Sequence, residues 1–182
     1  MCAQQAPVGR IAASVLGALC RPVRAVLFDK HAGANWALGW HQDRTICVRA
    51  RKDTPGFGNW TVKQGLQHVE PPFELLTRMV TLRIHLDDTP ADNAPLLIAP
   101  GSHKLGRISE SMLGSIVSRC GKVACIAAAG DVWLYATPIV HASDRAAEPA
   151  AGPSAHQYRR RRVLQIDFAA ESLPRGLHWL GL

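Results

Sequence analysis

Trp36-Ala37-Leu38-Gly39-Trp40-His41-Gln42-Asp43-Arg44-Thr45-Ile46-Cys47-Val48 reads as an extended segment interrupted at Gly39. Aromatic and β-branched residues suit a pleated, half-buried surface. Within a strand, residues two apart share a face. His41 and Asp43 therefore project to one side and Gln42 to the other. A histidine and a carboxylate presented together are two metal ligands that a third, from another strand, can complete.

Working outward, further short apolar runs read as strands: Val23 to Phe28, Met79 to Leu86, Leu96 to Ala99, Val123 to Ala128, Val132 to Tyr135 and Val163 to Ala169. Turn chemistry separates them, notably Asp88 to Pro95, Pro100-Gly101-Ser102-His103 and Gly130-Asp131. Residues 11–20 read as a helix ended by Pro22, and residues 107–119 as a second, with Ile108, Met112 and Ile116 at helical spacing. Phe73 to Arg78 suits one helical turn. Residues 51–72 carry Pro55, Gly56, Gly58, Gly65, Pro71 and Pro72 and read as irregular, with Gly56-Phe57-Gly58-Asn59-Trp60 a candidate substrate lid. Ala146 to Pro153 is an Ala/Pro/Gly loop.

Many short strands with few helices predict an all-β core, and among such folds the cupin-like jelly roll, or double-stranded β-helix, can enclose a metal in its mouth. The expected organisation is one domain over 1–182, with a short helix at about 8–21 and a jelly-roll core at about 23–170.

Composition agrees with a packed domain. Of 182 residues, 47% are apolar and 19% charged, too apolar for a disordered chain. The net charge of +7 favours an anionic partner, and part of the excess is the run Arg159 to Arg162. That run lacks the aromatic interleaving or helix-turn-helix pattern of a nucleic-acid site, so none is expected. Five cysteines (Cys2, Cys20, Cys47, Cys120 and Cys125) without a C-x-x-C pair indicate neither a disulfide framework nor a zinc ribbon, and fit a reducing, cytoplasmic setting. Arg10 followed by Ile11 to Cys20 reads better as a helix packed on the core than as a signal sequence, and no apolar run approaches membrane-spanning length.

The pattern His-x-Asp occurs twice, since His85-Leu86-Asp87 also fits, and spacing alone leaves both open. Trp40-His41-Gln42-Asp43 is followed in order by Asn93-Ala94-Pro95-Leu96, Ala99-Pro100-Gly101-Ser102-His103, Gly130-Asp131-Val132, His141-Ala142-Ser143 and Arg161-Arg162-Val163-Leu164. This ordered set resembles the phytanoyl-CoA dioxygenase family, the iron(II)- and 2-oxoglutarate-dependent oxygenases to which ectoine hydroxylase is related.

The resemblance implies that His41, Asp43 and His141 hold Fe(II), and that 2-oxoglutarate and O2 are cosubstrates. It implies Arg161 for the distal carboxylate of 2-oxoglutarate, helped by Ser143, with Arg162 as fallback if a bulge shifts the register. Lys30 ends a strand near the site and is a further candidate for that role. Candidate substrate contacts are Trp40, Arg83, His85 and Trp60.

Alternation supports Arg161 independently: Leu164, Ile166 and Phe168 share an apolar face, leaving Arg161, Val163, Gln165 and Asp167 on the other. Three features depart from the family. Ala94 stands where glycine is usual, the separation from His141 to Arg161 is long, and the segment before Val23 is short. Related halogenases replace the ligand carboxylate by Gly or Ala, so Asp43 favours hydroxylation. The expected reaction is hydroxylation of a small-molecule substrate coupled to decarboxylation of 2-oxoglutarate to succinate. The rival readings are a cupin-type metal-binding jelly roll that does not use 2-oxoglutarate and a non-catalytic binding module.

Overall fold

The structure, a computed structural model, describes residues 6–147 and 160–182. The part of the Ala/Pro/Gly loop from residue 148 onward lies outside them.

Helix α1 (Pro7–Leu16) is followed by β1 (Arg21–Lys30), β2 (Leu38–His41), β3 (Ile46–Val48), β4 (Gly58–Lys63) and β5 (Leu66–Glu70). Then come α2 (Phe73–Thr77), β6 (Met79–His85), β7 (Leu96–Ile98), α3 (Leu113–Cys120), β8 (Val123–Cys125), β9 (Val132–Ala136), β10 (His141–Ser143) and β11 (Arg161–Ala169). Two four-stranded antiparallel sheets, ordered β1-β11-β6-β9 and β2-β10-β7-β8, face each other as a double-stranded β-helix. Among the described residues three helices accompany this mostly-β architecture.

Strand β11 shows why the sheets face as they do. Its even-numbered Ile166 and Phe168 pack outward with Val80 and Leu82 of β6 against Ala12 and Leu16 of α1. Its odd-numbered Arg161, Gln165 and Asp167 turn inward and are buried. Alternation thus gives one face to hydrophobic burial and the other to a polar interior. A second apolar cluster joins Val23, Ile46, Val48, Val69, Leu76 and Trp179 at the closed end of the sandwich.

Several boundaries differ from the sequence reading: the stretch Trp36 to Val48 is split between β2 and β3, and β8 ends at Cys125. Helix α1 stops at Leu16, where Gly17 adopts φ 82, and Pro22 lies inside β1 at a bulge instead of before the strand. Helix α3 begins only at Leu113, preceded by a 3₁₀ turn at Glu110–Met112. The segment read as irregular contains a hairpin, β4 with β5, which joins β3 in a three-stranded sheet ordered β3-β5-β4. Its two-residue connection is Gln64-Gly65 with φ 50 and 77, the paired positive φ of a tight hairpin turn. Gly58 and Trp60, placed in a lid by the sequence, belong to β4.

Burial beneath α1 supplies a stability test. Leu82 is fully buried there. Leu82→Ala should lower unfolding free energy in urea by about 2–5 kcal/mol, as large-to-small core changes do. Leu27→Ala, at a position 55% exposed, should cost less than about 1 kcal/mol.

Candidate metal centre and its cavity

His41 closes β2 and stands in register opposite His141 at the start of β10. Their rings lie 4.2 Å apart between centroids, and with Asp43 they form a group whose ligand atoms all fall within 4.8 Å of one another. Nδ1 of His41 lies 2.8 Å from the Gly39 carbonyl and Nδ1 of His141 2.9 Å from that of Ile139. A carbonyl only accepts, so each Nδ1 carries the proton and each Nε2 keeps its lone pair for a metal. Burial lowers the His141 pKa and outweighs the opposing effect of Asp43, keeping the ring neutral. The 4.0 Å from His141 Nε2 to Asp43 Oδ2 is too long for a hydrogen bond. Two neutral imidazoles and one carboxylate are the donor set suited to iron(II) with open positions, so these residues fit the metal.

Asp43 follows the end of β2, and what holds it beside His41 is Gln42. The Gln42 amide nitrogen donates to the carbonyls of Pro138 (2.9 Å) and Gly106 (3.1 Å), and its oxygen accepts from the Ile108 N–H (2.9 Å). Gln42 faces away from the ligands, as alternation predicts, and ties their backbone to two loops.

A cavity of about 400 Å³ opens between the two sheets. His41, Asp43 and His141 line it together with Lys30, Arg83, Ser143 and Arg161. Ser143 lies two residues along β10 from His141, and its Oγ accepts from Lys30 Nζ at 2.9 Å. Opposite Lys30 in the β1–β11 register is Arg161, only 1% exposed, whose Nη1 donates to the Ala94 carbonyl at 2.8 Å while its Nε has no partner. Ala94 itself has φ 49, a left-handed conformation that strains a residue bearing a Cβ. Burial, then neighbouring Arg83, pushes Arg161 down to about 10, which leaves it charged at neutral pH.

Arg162 faces the other way: its guanidinium donates to both Asp87 oxygens, at 2.9 and 2.6 Å, and it does not line the cavity. Arg160 likewise pairs with Asp29, which assigns two of the arginines in the basic run to surface ion pairs. The other His-x-Asp is split by the same logic. Asp87 points out to Arg162, while His85 is buried, does not line the cavity, and has Nδ1 3.0 Å from Thr89 Oγ1.

Among the tryptophans, Trp36 lines the cavity and lies 5.2 Å from Lys30 Nζ. Trp40 instead packs toward Ala99, Ile116 and Val140, and Trp60 joins the closed-end cluster and Arg51. Arg24, Phe28, Leu38, Arg44 and Lys63 also line the wall without having been singled out, and Gln165 lines it from the face that alternation assigned it. Arg24 and Phe28 share the parity of Lys30 on β1, so alternation could have found them.

Residues 6–147 match the phytanoyl-CoA dioxygenase (PhyH) family, a span that includes all three residues of the cluster. The chain belongs to the phytanoyl-CoA dioxygenase family. The match ends before Arg161, whose assignment rests on its position in the cavity. No curated protein matches the sequence.

Among solved structures, AviO1 from Streptomyces viridochromogenes Tue57 is 20% identical with TM-score 0.60, over 94% of this chain and 59% of that one. EctD from S. alaskensis in its apo form is 18% identical with TM-score 0.61, over 98% and 58%. HygX from Streptomyces hygroscopicus, solved with nickel and 2-oxoglutarate, is 12% identical with TM-score 0.53, over 90% and 60%. At these identities the likeness is one of fold, and the chain spans about three-fifths of the length of each. It has the oxygenase fold of the PhyH family and carries a His-Asp-His cluster that fits a metal. No helix among the described residues is long and apolar enough to cross a membrane.

Lys30 offers a pH test of the ligand-free cavity. Burial, reinforced by Arg161 and Arg83, pushes its pKa down to about 8. Between pH 8 and the unfolded value near 10.4, the folded protein has released this proton and the unfolded chain still holds it. Stability from this group therefore rises with pH across that window. Comparing urea unfolding of parent and Lys30→Met, the difference should move in the parent's favour by on the order of 2 kcal/mol from pH 7 to 10.5.

Proposed function

We propose that this chain is an iron(II)- and 2-oxoglutarate-dependent hydroxylase of a small molecule, converting 2-oxoglutarate to succinate and carbon dioxide. The observation that carries this reading is a cavity with a His-Asp-His cluster on one wall and the buried group Arg161, Lys30 and Ser143 farther along it.

His41, Asp43 and His141 would hold the metal, with both Nε2 lone pairs available as described. Iron(II) held there with 2-oxoglutarate would supply the oxygen activation for a reaction that puts one oxygen atom into the substrate and one into succinate. Arg161 presents a guanidinium fork with unused donors, the shape that suits a carboxylate. Lys30 and Ser143 add an ammonium and a hydroxyl beside it, linked at 2.9 Å. Strand β10 carries both His141 and Ser143, so a dicarboxylate lying along it meets the metal ligands at one end and the cations at the other. Phe28, Trp36 and Leu96 give the wall an apolar surface that limits water around the reacting group. Asp43 fills the ligand position that related halogenases leave open, which supports hydroxylation as the outcome.

Anaerobic addition of Fe(II) and 2-oxoglutarate should produce the weak visible metal-to-ligand absorption band in the parent protein. His41→Ala should abolish the band. Arg161→Ala should weaken 2-oxoglutarate binding by about 10- to 100-fold, the scale of one charge-assisted hydrogen-bond pair. Iron binding without a 2-oxoglutarate band would refute use of that cosubstrate, and no iron binding would refute the oxygenase reading altogether.

A further inference from the structure

The cavity buries more positive charge than 2-oxoglutarate accounts for. Lys30, Arg83 and Arg161 are 1%, 5% and 1% exposed. Lys30 has the charge of Asp144 nearby and donates to that residue's carbonyl at 2.6 Å. Arg161 is the group already matched to the distal carboxylate of the cosubstrate. Arg83 is left over. Among the described residues no carboxylate lies within ion-pair distance of it, its Nη1 donates to the neutral Gln165 Oε1 at 3.0 Å, and its Nε has no partner.

An acid, Asp167, shares the inward face of β11 but lies outside the cavity lining, and the chain uses it elsewhere. Asp167 accepts from Thr81 Oγ1 at 2.9 Å and from Gln165 Nε2 at 3.3 Å, and stands 3.5 Å from Arg24 Nη1. Gln165 therefore sits as a neutral spacer, bonded on one side to Arg83 and on the other to Asp167. The Phe28 ring, 5.1 Å from the Arg83 guanidinium carbon, offsets part of the burial cost but supplies no hydrogen bond to Nε. A buried guanidinium whose polar neighbours, Gln165 and the Tyr135 hydroxyl, are neutral and whose Nε has no hydrogen bond is costly to the ligand-free fold unless a bound anion completes it. The metal site adds no surplus anion: a dipositive ion with Asp43 keeps one positive charge, which the chelating carboxylate of 2-oxoglutarate balances.

We infer that Arg83, oriented by Gln165, receives a carboxylate of the primary substrate, so that the substrate is a small carboxylic acid. This rests on the oxygenase reading above and extends it to substrate class. A planar carboxylate matches the guanidinium fork. The cavity, at about 400 Å³, lies toward the lower end of ordinary small-molecule sites, which points to a compact acid.

The test uses the anaerobic Fe(II)·2-oxoglutarate complex, titrated with propionate and benzoate at constant ionic strength beside propionamide and benzamide. Binding is read by calorimetry and by perturbation of the visible band. Both carboxylates should bind the parent complex saturably and the amides should not. Arg83→Gln should weaken carboxylate binding at least about tenfold, the loss of one charge-assisted contact. Its 2-oxoglutarate affinity should stay within about twofold of the parent's, and Arg83→Lys should restore part of the carboxylate binding. In the ligand-free protein Arg83→Gln should raise the urea midpoint, because an uncompensated buried charge is gone. Carboxylates that fail to bind the parent, or bind both proteins equally, would overturn the inference. So would loss of 2-oxoglutarate affinity in Arg83→Gln, which would make Arg83 a cosubstrate residue, or a lowered midpoint, which would make it structural. A parent without any 2-oxoglutarate band would remove the oxygenase reading and this inference with it.

Discussion

Strand β11 lies between β1 and β6, so it has no solvent edge, and both of its faces must be covered. One face meets α1 and can be apolar. The other looks into the sandwich, where Arg161, Gln165 and Asp167 stand in a row, and every polar atom there must find a partner or a ligand. The neighbouring strands answer that demand in register: Lys30 lies opposite Arg161, Arg24 opposite Asp167, and Arg83 opposite Gln165. The floor of the cavity is thus a consequence of antiparallel pairing. Shifting β11 by one residue would send its charged side chains into the α1 interface and its leucine and isoleucine into the site.

The opposing sheet needs less machinery because its ligands are cross-strand neighbours. His41 and His141 meet through one register pair, and each ring is turned by a carbonyl two residues before it. Asp43 lies beyond the strand and depends on Gln42, whose three hydrogen bonds substitute for the missing ladder. The site therefore joins a rigid histidine pair to a carboxylate held by an amide clamp.

Much of this was legible from period-two alternation. It separated Arg161 from Arg162, aimed Gln42 away from His41 and Asp43, and put Gln165 on the inward face. What alternation does not carry is which of two faces meets a cavity. Trp40 and Trp60 are aromatic strand residues like any cavity tryptophan, yet long-range packing directs both into apolar clusters. The β4–β5 hairpin was obscured by its glycines and by the prolines that flank it, because Gln64-Gly65 is a less familiar turn pair than Asn-Gly and Gly58 begins a strand. The late start of α3 reflects the 3₁₀ turn ahead of it, where apolar spacing continues without the α-helical hydrogen-bond pattern. The surplus charge of Arg83 was invisible for a different reason: a sequence shows that an arginine is present, but only the packed structure shows that Asp167 is occupied elsewhere.

Ala94 carries this dependence to a turn outside either sheet. Its carbonyl holds Arg161 only while its backbone stays left-handed, at φ 49. Glycine and asparagine accept that conformation readily, and β-branched residues resist it. The range of side chains tolerated at position 94 is therefore set by the aim of a guanidinium on a distant strand. On the proposed oxygenase reading, a change there that touches neither the three metal-centre residues nor the arginine would act as a dial on cosubstrate affinity.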